Sequence, residues 1–262
     1  MPATLADIIE NKVLEVAKRK ASRAGSIDES SLPAGDGRFL KALSNDGVNL
    51  ICELKPKSPS AGVLKSEFDL PALLAAYESC AAAISVLTDE KYFGGSLELL
   101  AEVAKQSTLP TLCKDFIIDP DQCLEARQAG AQAVLLIVKI LTDDQLHSLY
   151  KMICRLGMTA IVEIQNDGEC SRALALAPQV ILINNRNLDT FRISMQTTFD
   201  LAPKIPNDIV KISASGYSNR SEIETILPYC QNFLIGSALM TADNLIETLS
   251  ELKGVTVGAR SI

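Results

Sequence analysis

The fold is decided by the stretch Asn49-Leu50-Ile51-Cys52-Glu53-Leu54-Lys55-Pro56-Lys57-Ser58-Pro59-Ser60. Asn49 to Leu54 has β-prone character and reads as a strand. Glu53 and Lys55 lie two apart, so the strand period aims both side chains to one side. A hydroxyl-rich Ser-Pro-Ser loop follows at once. A carboxylate and an ammonium on one face at a strand's C-terminal end are costly to bury for structure alone. They suit a site that handles protons and anions.

Working outward, apolar β-rich runs recur with helical segments between them. The strands expected are Asn49–Leu54, Ala82–Leu87, Thr111–Phe116, Ala133–Val138, Thr159–Ile164, Val180–Asn184, Val210–Ser213 and Phe233–Gly236. Helices are expected at Leu70–Cys80, Leu97–Lys105, Pro120–Ala129, Thr142–Leu156, Asn219–Leu227 and Ala238–Leu252. Eight βα units with near-continuous apolar strands imply a closed parallel (β/α)8 TIM barrel. An open doubly wound sheet is the runner-up, disfavoured because the first βα turn lacks a glycine fingerprint. The 262 residues fit one such domain, 1–262.

Residues 1–45 precede the barrel as an N-terminal helical extension and loop. Leu5, Ile8, Ile9, Val13 and Val16 repeat at helical spacing, with Lys18, Arg19 and Lys20 near the helix C-terminus, where cations suit the dipole. This reads as an amphipathic helix packed on the barrel. Gly25–Gly37 reads as a connector or a cover for an opening.

Composition narrows the function classes. A net charge of −7 and no basic stripe argue against nucleic-acid binding. No apolar run is long enough to span a bilayer. Asp7, Glu10 and Glu15 interrupt any signal-peptide pattern, and a cytoplasmic location is expected. Seven cysteines without a CxxC pair fit neither a zinc site nor a disulfide framework. No metal or cofactor is expected. The one histidine, His147, lies in a helical stretch and is given no catalytic role.

Barrel enzymes place their chemistry at the C-terminal ends of the strands. Strand one ends in Glu53 and Lys55, strand three in Lys114 and Asp115, and strand five carries Glu163. Strand six ends in Asn184, Asn185 and Arg186, strand seven in Ser213-Ala214-Ser215-Gly216, and strand eight in Gly236-Ser237. Glycines after the last two strands let a phosphate approach backbone N–H groups. Ser58 and Lys55 could complete that anion site, because strand one neighbours strand eight in a closed barrel.

Five blocks now become recognisable: Glu53-Leu54-Lys55-Pro56-Lys57-Ser58-Pro59-Ser60, Ser85-Val86-Leu87-Thr88-Asp89-Glu90-Lys91-Tyr92-Phe93, Cys113-Lys114-Asp115-Phe116-Ile117, Ile183-Asn184-Asn185-Arg186-Asn187-Leu188 and Leu234-Ile235-Gly236-Ser237-Ala238-Leu239-Met240. In this order they resemble the indole-3-glycerol-phosphate synthases, from the N-terminal helix to about Leu252. The resemblance implies closure of 1-(2-carboxyphenylamino)-1-deoxyribulose 5-phosphate to indole-3-glycerol phosphate with loss of carbon dioxide and water, in tryptophan biosynthesis, without a cofactor. It implies that Lys114 is the general acid for ring closure. Lys55 pairs with substrate anions and acts as acid in dehydration. Glu53 and Glu163 exchange or orient protons, and which of them is the dehydration base stays open. Asn184 would bond the sugar part and Arg186 the substrate carboxylate. Phe93 and Phe116 would pack on the ring or in the core. Ser58, Gly216, Gly236 and Ser237 match the phosphate site, and Ser215 beside Gly216 is expected to bind substrate.

The chain departs from the family pattern at three places. Glu-Ser-Gly is usual after strand seven, where this chain has Ala214-Ser215-Gly216. Pro56 and Ala61 stand where basic residues are common. Ala214 removes a carboxylate near the reacting centre, so a slower enzyme is expected. A sugar-phosphate isomerase barrel and a barrel that binds its ligand without turnover stay open beside the synthase. A monomer with one activity is expected, with other tryptophan-pathway enzymes as partners.

Overall fold

The computed structural model describes residues 3–23, 25–59, 62–64 and 68–255. Ser60, Ala61 and the tail beyond Val255 lie outside the described residues. Eight parallel strands form the closed barrel: β1 (Asn49–Leu54), β2 (Ala83–Leu87), β3 (Thr111–Lys114), β4 (Ala133–Ile137), β5 (Thr159–Ile164), β6 (Val180–Asn184), β7 (Val210–Ala214) and β8 (Asn232–Ile235). β1 pairs with β2 on one side and β8 on the other, which closes the ring.

Strand alternation builds two cores. Leu50, Cys52 and Leu54 point outward and pack with the surrounding helices. Ile51 points inward and meets Leu112, Leu135, Ile161, Leu182 and Ile212 in the barrel interior. Because both faces are covered, the strands read as continuous apolar runs. One step beyond the apolar interior, the inward positions become Glu53, Lys114, Glu163 and Asn184, and the site begins there.

The helices start where a short polar side chain can accept from their free N–H groups. Asp69, Ser96, Asp119, Thr142, Asn166, Asn219 and Asn244 all do so. The expected helix Ala238–Leu252 is instead two, Ser237–Met240 and Leu245–Lys253. Asn244 caps the second and forces the break. Strand β3 stops at Lys114, two residues before the expected Phe116, which lies in the following loop.

The extension embraces the barrel from end to end. Helix α1 (Leu5–Ser22) lies against the loops after β2 and β3, and Tyr92 Oη donates to the Asp7 carbonyl at 3.2 Å. Its inner face is Ile8, Lys12 and Val16. Val13, expected on the apolar face, is 53 % exposed. The segment 25–37 is a connector, held by Arg127, which donates to the carbonyls of Pro33 and Ala34. It leads to helix α2 (Arg38–Leu43), whose Phe39 and Leu43 plug the barrel interior from the N-terminal end.

Candidate active site

A cavity of about 410 Å³ opens at the C-terminal ends of the strands. The sequence-predicted residues Glu53, Lys55, Lys114, Glu163 and Asn184 all line it. So do Ser58, Phe93, Phe116, Arg186, Ser215, Gly216, Gly236 and Ser237. His147 is on the exposed face of the helix Asp143–Arg155, far from this chemistry in role.

Glu53 sits at the centre of the charge pattern. Lys55 Nζ lies 2.9 Å from Glu53 Oε1, and Lys114 Nζ lies 3.7 Å from Oε2. Burial opposes ionisation of Glu53, but Lys55 and then Lys114 outweigh it and hold the carboxyl below its usual range. Glu163 has the opposite balance. Burial dominates, Lys114 and the Asn184 amide only partly offset it, and the carboxyl is raised. The two buried carboxyls are thus pushed in opposite directions, Glu53 toward its charged form and Glu163 toward its protonated one. Lys114 links them, since it favours the charge on both.

Asn184 is fixed on both ends of its amide. Its Nδ2 donates to Glu163 Oε1 at 3.0 Å, and its Oδ1 accepts from the Arg186 N–H and from Ser215 Oγ, each at 3.0 Å. Arg186 donates through Nη1 to the Phe191 carbonyl at 3.1 Å, which holds its side chain at the rim. Phe93 and Phe116 face each other at 5.9 Å between ring centres and form one aromatic wall. Ser215, Gly216, Gly236 and Ser237 form the opposite, anion-friendly wall. Ser215 and Gly216 both have positive φ, +73° and +97°.

Gly236 has a second role that its phosphate-loop reading did not supply. A Cβ built there would lie 2.3 Å from Glu53 Oε1. The position points into the barrel, and only a glycine leaves room for the Glu53 carboxylate. Gly236→Ala is expected to displace that carboxylate from Lys55 and to lower kcat by about one to two orders of magnitude. A rate within twofold of the native protein in steady-state assays would refute this steric account.

Asp115, expected among the site groups, turns away from the cavity. It accepts from Thr88 Oγ1 at 2.7 Å and from the Phe116 N–H at 2.7 Å, and pairs with Lys12 at 2.8 Å. Sequence periodicity missed Lys12, a fully buried lysine in a helix whose inner face was expected to be apolar.

Residues 5–252 match the sequence profile of indole-3-glycerol phosphate synthase. The chain belongs to the indole-3-glycerol phosphate synthase family. The indole-3-glycerol phosphate synthase of Streptococcus pneumoniae (strain Hungary19A-6) is 40% identical over 95% of this chain and 96% of its own length. The tryptophan biosynthesis protein TrpCF of Vibrio parahaemolyticus is 43% identical over 94% of this chain, but only 52% of that protein is matched. The chain thus spans about half the length of its TrpCF relatives. Among solved structures, a chain of the tryptophan synthase complex of Pyrococcus furiosus superposes with a TM-score of 0.60 at 15% identity, over 80% of this chain and 99% of the other. The N-(5'-phosphoribosyl)anthranilate isomerase of the same organism gives 0.56 at 15% identity, over 79% of this chain and 100% of the other. At that identity the likeness is one of fold. Within the synthase family, this member carries Ala214 at the inner end of β7, buried in the cavity wall in register with Asn184.

Proposed function

We propose that this family member is an indole-3-glycerol-phosphate synthase acting on 1-(2-carboxyphenylamino)-1-deoxyribulose 5-phosphate. The observation that carries the reading is Lys114 poised between Glu53 and Glu163 on the floor of one cavity, with an aromatic wall on one side and the Ser215-Gly216 and Gly236-Ser237 turns on the other. A cytoplasmic monomer is part of the proposal. The seven free cysteines suit a reducing compartment. Other tryptophan-pathway enzymes are the proposed partners.

The substrate phosphate would lie against Ser58, Ser215, Gly216, Gly236 and Ser237, and the anthranilate ring against Phe93 and Phe116. Arg186 would meet the substrate carboxylate. The ring carbon that bears the carboxylate attacks the ketone carbon, and Lys114 delivers a proton to the ketone oxygen. The carboxylate leaves as carbon dioxide, and its bonding electrons restore the aromatic ring. The new hydroxyl then leaves as water with a proton from Lys55. A carboxylate, Glu53 or Glu163, removes the proton from the neighbouring carbon to form the indole double bond. The sum is substrate to indole-3-glycerol phosphate plus carbon dioxide plus water, with no external oxidant or reductant.

Ala214 bears on rate. A glutamate at 214 would add a third carboxylate to the cavity wall beside Asn184. Ala214→Glu is expected to raise kcat, read by continuous assay of the indole chromophore. An unchanged or lower rate would count against a missing carboxylate as the limit. A native chain that binds the substrate but forms no product would mark it as a binding barrel instead.

A further inference from the structure

The groups that hold Glu163 in its place extend beyond the cavity wall. The Asn184 amide has a determined orientation, because a backbone N–H can only donate: the Arg186 N–H marks Oδ1 as the accepting end. Its Nδ2 is therefore the end that faces Glu163. Ser215 Oγ is the second donor to Oδ1, and it reaches that oxygen from a left-handed backbone conformation, φ +73°, unfavourable for a residue with a Cβ. Something must hold Ser215 there.

Asn185 does so from behind the wall. It is buried and does not line the cavity. Its Nδ2 donates to the Ser215 carbonyl at 3.1 Å and to Ser213 Oγ at 3.2 Å, and its Oδ1 accepts from Thr198 Oγ1 at 2.8 Å. The surrounding hydroxyls close on one another, with Thr198 Oγ1 and Ser213 Oγ 2.6 Å apart and Tyr217 Oη donating to Ser213 Oγ. The Asn185 N–H also donates to the Ala214 carbonyl at 2.9 Å, fixing the residue just before the turn. A fully satisfied buried network of this kind makes the left-handed turn rigid.

We propose that Asn185 is a positioning residue for Glu163, acting through the Ser215 carbonyl, the Ser215 hydroxyl and the Asn184 amide. The proposal rests on the role given to Glu163 above. Without the Asn185 donor, Ser215 relaxes toward ordinary φ and its hydroxyl leaves Asn184 Oδ1. The amide can then rotate, and Glu163 loses the N–H that favours its charged form. The charged groups that face Glu163 are Lys114 from β3, which favours the carboxylate, and Glu169 from the helix Asp167–Leu174 and Glu53 from β1, which oppose it. Arg186 shares the cavity. None of these belongs to the Asn185 network, whose side chains Thr198, Ser213 and Tyr217 are neutral at pH 7. A change at Glu163 caused by an Asn185 variant must therefore travel through the hydrogen bonds.

The test is a carbon-13 carboxyl titration of Glu163 in the ligand-free protein, assigned by Glu163→Gln, run beside steady-state kinetics. Asn185→Ala and Ser215→Gly are compared with the native chain. Ser215→Gly removes the hydroxymethyl group and relieves the positive φ, so it keeps the fold and carries the test if Asn185→Ala does not fold. Both variants are expected to titrate Glu163 at higher pH than the native protein and to lower kcat about tenfold, as for one hydrogen bond to a charged group. An unmoved midpoint in the folded Ser215→Gly protein overturns the proposal. Raised midpoints in a protein whose native form makes no product would keep the positioning role and sink the reaction assignment. Unmoved midpoints with native turnover intact would do the reverse.

Discussion

Lys114→Ala is expected to lower kcat by about a hundred- to ten-thousandfold, the range for loss of a positioned general acid. Lys114 closes the β3 end of the cavity, 3.7 Å from Glu53, and it favours the charge on both Glu53 and Glu163. Its removal takes away the proposed proton donor for the ketone oxygen and also unbalances the two carboxylates. The groups proposed to hold the phosphate, Ser215, Gly216, Gly236 and Ser237, follow β7 and β8, on another part of the ring, and stay intact. The loss should therefore fall on kcat, with little change in KM. Steady-state kinetics check this. A loss below tenfold, or one confined to KM, would remove Lys114 from the acid role.

Lys12→Met is expected to destabilise the fold by about 3–5 kcal/mol, because it leaves buried carboxylates without their cation. The Lys12 side chain is 0% exposed and lies 2.8 Å from Asp115, 3.0 Å from Asp89 and 3.0 Å from Glu15. Burial pulls against the ammonium, but Asp115 and Asp89 outweigh it and hold its pKa well above the ordinary lysine range. The folded pKa lies above the unfolded one, so this contribution is fully present below the ordinary lysine pKa. It is lost only as pH rises through the folded value. At neutral pH the full effect should appear in urea unfolding, as a lower midpoint at unchanged slope. Adding Asp89→Asn and Asp115→Asn to Lys12→Met should recover much of the loss. A single variant within 1 kcal/mol of native would show that the carboxylates find water or another cation.

The consequence reaches the site. Asp115 separates Lys114 from Phe116 in sequence and accepts the Phe116 N–H. Asp89 caps the short helix Glu90–Phe93 through the Tyr92 N–H at 2.8 Å. Lys12 thus ties the N-terminal helix to both segments that carry the aromatic wall.

The barrel was legible because its strands are apolar on both faces and separated by helices with clear capping residues, as at Asp119 and Thr142. The cavity was legible for a related reason: one inward residue past the apolar interior, β1, β3, β5 and β6 change to a charged or amide side chain, Glu53, Lys114, Glu163 and Asn184. What escaped reading depends on tertiary compensation. Lys12 drew no reading from the sequence, because no local pattern announces two aspartates from the loops after β2 and β3. Asp115 looked like a site carboxylate for the same reason. Asn185 was visible only as one of two adjacent asparagines, and strand alternation sends it behind the wall while Asn184 faces in. Gly236 carried a turn signal, but its clearance for Glu53 arises from a neighbouring strand paired at Cys52 and Ile235. The break at Asn244 was hidden by apolar residues that continue on both sides of it.

The most direct test of the central claim is to incubate the native protein with 1-(2-carboxyphenylamino)-1-deoxyribulose 5-phosphate and to follow indole-3-glycerol phosphate and carbon dioxide together. The account predicts both products in equal amounts, without added metal or cofactor. Consumption of the substrate with carbon dioxide and indole product in unequal yield, or bound substrate that stays unchanged, would contradict it.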